Sequence, residues 1–111
     1  MKKFIFCLVL LIAAQGVNAA TGKTVSGKVG VLRNHTLIHE QTPVKGFTVF
    51  QLDAALVSPC TWLYIAPEDK ASLSFLISSK AQNNEVRVYY YTDVVSPWST
   101  MTCAVYAIDL L

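Results

Sequence analysis

The chain has 111 residues, 53% of them apolar, with nine basic side chains, seven acidic ones and three cysteines. That length holds one domain with a single core. Lys2 and Lys3 account for the whole positive excess, so the remaining seven bases balance seven acids and nothing points to nucleic acid.

Lys2 and Lys3 precede an apolar run from Phe4 to Ala14, and Val17 and Ala19 supply the small-residue pattern that a signal peptidase reads. Residues 1–19 are therefore predicted to be a signal peptide cut between Ala19 and Ala20, leaving 20–111 as one secreted or periplasmic domain. The run is short for a membrane span. Cys7 leaves with the leader, and the two cysteines that remain, Cys60 and Cys103, are expected to form a disulfide in an oxidising compartment.

From the mature start, Val25, Gly27, Val29 and Val31 alternate with Thr24, Ser26, Lys28 and Gly30, the period of a strand with one buried face. Two glycines within it predict a bulge or strong coiling. Arg33 to Thr36 reads as a turn, Leu37 and Ile38 as a brief strand, and Gln41-Thr42-Pro43 as a break. Phe47 to Leu52 is a strand, Asp53 to Pro59 a loop, and Trp62-Leu63-Tyr64-Ile65 a short core strand. Pro67 opens a helix, with Glu68 and Asp69 at the positive end of its dipole. Leu73, Leu76, Ile77 and Ala81 form the stripe expected to pack on the sheet. Asn83 and Asn84 tolerate the left-handed conformation that ends a helix. Beyond them Val86, Val88 and Tyr90 alternate with Arg87, Tyr89 and Tyr91. Thr92 to Ser99 reads as a loop tipped by Pro97 and Trp98, and Met101 to Leu110 as the closing strand. A mainly β chain with one α-helix before the last strands has the element order of an OB-fold, a coiled small barrel of five to six strands, with another small α+β sandwich as the alternative.

No catalytic constellation is visible. His35 and His39 stand four apart, but in turn and strand rather than helix, so no metal site is expected and no cofactor is implied. Asp93 and Asp109 are isolated carboxylates, and Ser26 has no histidine beside it, so an enzyme, a small hydrolase using Ser26 or Asp93, is the weaker reading. The surplus of aromatics is the chemical signal: Tyr89, Tyr90, Tyr91, Trp98 and Tyr106. Alternation puts Tyr90 opposite Tyr89 and Tyr91, so outward tyrosines are left to cover a subunit contact or to form a sugar platform.

At Val86-Arg87-Val88-Tyr89-Tyr90 the chain resembles the receptor-binding B subunits of subtilase cytotoxin and the related pertussis-like typhoid toxin. Val25-Ser26-Gly27 is similar to the Phe-Ser-Gly that opens their first strand. A tryptophan before the helix, a Trp/Pro loop and an apolar closing strand extend the likeness. The chain is shorter, lacks their extra cysteines and places Cys103 within its last strand. The resemblance implies an OB-fold assembled as a ring of five, with no enzymatic activity of its own. It implies binding of cell-surface glycans, sialylated ones included, on host glycoproteins or glycolipids, and delivery of a separate toxin A subunit. Carried across position by position, it places glycan contacts on Ser26 and Tyr90. The reading of a different class is an exported OB-fold that binds a protein or peptide partner in the periplasm and has no sugar site.

Overall fold

The computed structural model describes residues 21–111, and the expected signal peptide, 1–19, lies outside them. Five strands and one helix follow in order: β1 (Gly22–Asn34), a 3-10 turn (Thr42–Val44), β2 (Thr48–Leu52), β3 (Trp62–Ile65), α1 (Lys70–Gln82), β4 (Glu85–Ser96) and β5 (Ser99–Leu110). The strands hydrogen-bond in the order β1-β2-β3-β5-β4, and β4 returns to β1, so the sheet closes on itself as a ring. Every pairing is antiparallel except β3 with β5.

Alternation along each strand decides what fills the ring. Val29 from β1, Phe50 and Leu52 from β2, Leu63 and Ile65 from β3, Val86, Val88 and Tyr90 from β4 and Cys103 from β5 point inward and form one core cluster. The long β1 serves two partners, pairing with β4 through Gly22–Lys28 and with β2 from Val29 onward. The register slips between Val29 and Val31, at Gly30, as the glycines predict. Gly27 is needed for a different reason: Asp53 crosses it, and a Cβ there would lie 2.5 Å from the Asp53 carboxylate. That carboxylate accepts from the Lys28 N–H at 2.8 Å.

Cys60 and Cys103 are bonded with their Cα atoms 5.7 Å apart, as expected, and the bridge is consistent with export to an oxidising compartment. No helix among the described residues is long and apolar enough to cross a membrane.

Four local expectations are corrected. Leu37 and Ile38 are not a strand. They sit 75% and 91% exposed on a loop that is closed by backbone bonds from His35 to Phe47 and from Gly46 to His35, and neither pairs with a strand among the described residues. The helix begins at Lys70 rather than Pro67, because Asp69 is its N-cap and its carboxylate accepts from the Ser72 N–H at 3.1 Å. Its buried line is Leu76 and Ser79 with the partly buried Leu73, whereas Ile77 and Ala81 face outward. The contact is a narrow one at i, i+3 spacing. Ser79 tolerates burial because its hydroxyl donates to the Asn84 carbonyl at 2.8 Å, just past the left-handed Asn83 that ends the helix. Finally, the expected loop Thr92–Ser99 shrinks to Pro97 and Trp98. β4 bends through register shifts and runs on to Ser96, whose hydroxyl accepts the Ser99 N–H and donates to the Ser99 carbonyl, both at 3.1 Å.

Candidate functional site

Ser26 lies on the outer face of the ring, opposite Arg87 of β4, and its hydroxyl makes no hydrogen bond among the described residues. The next outward pairs along the same two strands are Thr24 with Tyr89 and Gly22 with Tyr91. Tyr106 of β5 completes this face. Its ring stacks on Tyr91 at 4.3 Å between centroids and lies 6.0 Å from Tyr89. Gly22 leaves room beside the stack, since a Cβ there would sit 2.8 Å from the Tyr106 hydroxyl. The Tyr89 hydroxyl donates to the Asp109 carboxylate at 2.9 Å, and Arg87 approaches the same oxygen at 3.9 Å. That ion pair is long and half exposed, so it contributes little to stability. It leaves charge, hydroxyls and aromatic rings together on one open surface.

Tyr90 is elsewhere. It is 1% exposed, packed in the core, and its hydroxyl accepts from the Val57 N–H at 2.9 Å. The glycan contact that the resemblance places on Tyr90 beside Ser26 is therefore corrected: strand parity sends Tyr90 inward with Val86 and Val88, while Ser26 and Arg87 point out. The tyrosines that accompany Ser26 are Tyr89 and Tyr91. The signal was present in the alternation of β4, where Tyr90 shares its parity with two valines.

A second concentration of chemistry lies around the ring, over β1, β2, β3 and the start of β5. Arg33, Val49 and Tyr64 stand opposite one another across β1, β2 and β3, and Trp62 opposite Thr102. The Pro97-Trp98 turn folds back so that the Trp98 ring lies 5.1 Å from Phe47, 5.9 Å from His35 and 6.0 Å from Tyr64. Between Trp62 and Trp98 is an open cleft of about 310 Å³. The Arg33 guanidinium lies over the Trp62 ring, 5.0 Å from its centroid. Burial pushes the Tyr64 phenol above its usual pKa, and its hydroxyl donates to the Val95 carbonyl. Sequence reading missed this cleft, since it placed Trp62 in the core and Trp98 at an isolated tip.

His35 and His39 do meet, with rings 5.2 Å apart, edge to face. Among the described residues no three His, Cys, Asp or Glu side chains are grouped to hold an ion. The His39 Nδ1 accepts from the Gln41 N–H at 3.0 Å. His35 is held below the usual histidine pKa, first by partial burial and then by repulsion from His39 and Arg33. The unfolded chain therefore binds a proton here at higher pH than the folded chain. Stability is complete above the unfolded value of about 6.5, declines as pH falls from there toward the lower folded value, and levels off beneath it. Urea midpoints at about pH 7.5 and about pH 5 should show the decline, and His35→Gln should flatten it. An unchanged pH profile in the variant would assign the effect to other groups.

The two isolated carboxylates are satisfied structurally. Asp93 accepts from the Thr21 N–H at 3.0 Å, and Asp109 accepts from Tyr89. No protein-family model, no curated protein and no solved structure matches this chain.

Proposed function

We propose that this chain is a glycan-binding subunit of the secreted, B-subunit type, built on an OB-fold and acting as a ring of five that carries a separate toxin A subunit. The observation that carries the binding reading is the Ser26 face. An unbonded hydroxyl stands beside Arg87 and next to a platform made by Tyr89, Tyr91 and Tyr106. A sugar presents hydroxyls at its edge and C–H groups on its faces, so a surface with free donors, acceptors and aromatic rings suits it.

Three further features support the reading. The strand order β1-β2-β3-β5-β4, with the helix between β3 and β4, is compatible with the OB-fold, whose outer surfaces bind oligosaccharides among other ligands. The disulfide suits an exported protein. Phe75 and Ile77, 41% and 52% exposed on α1, supply apolar surface for contacts between copies.

Ser26→Ala removes one or two hydrogen bonds to the glycan, about 1–3 kcal/mol, or roughly ten- to a hundredfold in affinity per site. On a cell the loss is larger, because five sites act together. Folding is spared, since Ser26 is exposed and its hydroxyl bonds to nothing among the described residues. The measurement is glycan-array and cell binding by the mature wild-type and variant proteins, with particle mass determined in parallel. Equal binding at equal assembly would place the site away from Ser26, and a monomeric mass at micromolar concentration would overturn the ring.

A further inference from the structure

We infer that the cleft between Trp62 and Trp98 is a separate ligand site for a pyranose that carries a carboxylate. It does not rest on the Ser26 reading, since the two surfaces use different residues. Four observations converge on it.

The first is the state of Arg33. Its side chain is exposed, and among the described residues it makes no hydrogen bond and no ion pair with a carboxylate. It nevertheless lies over the Trp62 indole, 5.0 Å from the ring centroid. A guanidinium held over an indole and bonded to nothing else keeps its N–H donors free for a bidentate bond to a carboxylate.

The second is the floor and walls. Val49 points outward from its strand yet is only 4% exposed, so the cleft has an apolar base. Trp98 and the half-exposed Met101 add apolar lining to the cleft. A pyranose presents just such a flat C–H face to aromatic and apolar surface. The third is the polar rim. The exposed Thr61 and the partly exposed Ser99 line the same opening, and both hydroxyls retain bonding capacity for sugar hydroxyls. The fourth is size. About 310 Å³ is at the small end of ligand pockets, room for one ring rather than a long chain. A larger hollow of about 390 Å³ by Gln51, Ala55 and Leu56 has no charged side chain in its lining and so no means of selecting an anion.

The test uses the oxidised mature protein and a built-in reporter, because Trp62 and Trp98 are the two tryptophans of the chain and both line the cleft. Tryptophan emission is titrated with galacturonate, galactose and benzoate, and the same titrations are repeated by calorimetry, which does not depend on the indole environment. Galacturonate should saturate the signal and bind roughly tenfold or more tightly than galactose, as expected for one charge-assisted bond. Arg33→Gln should reduce galacturonate to the level of galactose. Met101→Glu, which sets a like charge on the exposed wall, should abolish galacturonate binding with the fold intact, and Ser26→Ala should leave it unchanged. Equal affinity for galacturonate and galactose, tighter binding of benzoate than of galacturonate, no response to any of the three, or full binding by Arg33→Gln would each overturn the assignment.

Discussion

A Cys60→Ala/Cys103→Ala double variant is expected to lose about 4 kcal/mol of folding stability relative to the oxidised protein. The two cysteines are 43 residues apart in sequence. Closing a loop of that length removes about 4 kcal/mol of conformational entropy from the unfolded chain on the loop-closure account. The position adds to the effect. β3 is only four residues long, and it meets β5 through three opposed pairs, Trp62 with Thr102, Leu63 with Cys103 and Tyr64 with Ala104. This is the one parallel seam of the ring, and parallel pairing is slightly weaker per residue. The bridge joins the seam from inside, with both cysteines nearly unexposed, so alanine also leaves unfilled volume in the core. Against the typical range of about 5–15 kcal/mol for a domain, such a loss takes from about a quarter to most of the margin. Guanidinium unfolding of oxidised wild type, reduced wild type and the double variant measures it. A difference below about 1 kcal/mol would mean that the hydrogen-bonded seam holds without the bridge.

Tyr90→Ala should be comparably damaging, about 3–5 kcal/mol, because it deletes the largest of the fully buried side chains. Tyr90→Phe separates packing from hydrogen bonding. It keeps the ring among Val86, Val88 and Phe50 but removes the acceptor of the Val57 N–H. Water reaches Val57, which is 45% exposed, so the cost should lie near the lower end of the 1–3 kcal/mol range for an orphaned donor. Glycan binding per folded Tyr90→Phe molecule should equal that of wild type, whereas a ligand that needs the phenol would lose affinity with stability unchanged. The pair of variants thus measures Tyr90 as core, the role its burial assigns.

Much of this was legible in the residues because it depends only on local periods. Val25-Ser26-Gly27 and Val86-Arg87-Val88 alternate, so the inward and outward sets of β1 and β4 follow from parity alone, Tyr90 included. Transferring the role of a family's tyrosine to Tyr90 overrode that parity, and the alternation was the better guide. Two cysteines in an exported domain have one way to pair. Asn83 ends the helix through its own tolerance of the left-handed region, a property of the residue and not of its surroundings.

What only the tertiary structure decided are the facts that depend on which strands become neighbours. Leu37 and Ile38 have the composition of a strand but stay exposed and pair with no strand among the described residues, and a strand is defined by its partner. Ile77 looks more buriable than Ser79, yet α1 meets the ring along a narrow line, and the carbonyl of Asn84 satisfies the serine there. The cleft is the clearest case. Arg33, Val49, Trp62 and Trp98 come from four separate segments and show no motif. They meet because β1, β2, β3 and β5 lie side by side once the ring closes and the Pro97-Trp98 turn folds back across them. Strand order is set by long-range pairing, which no window of sequence contains, so residues distant in the chain become a site only when the ring has formed.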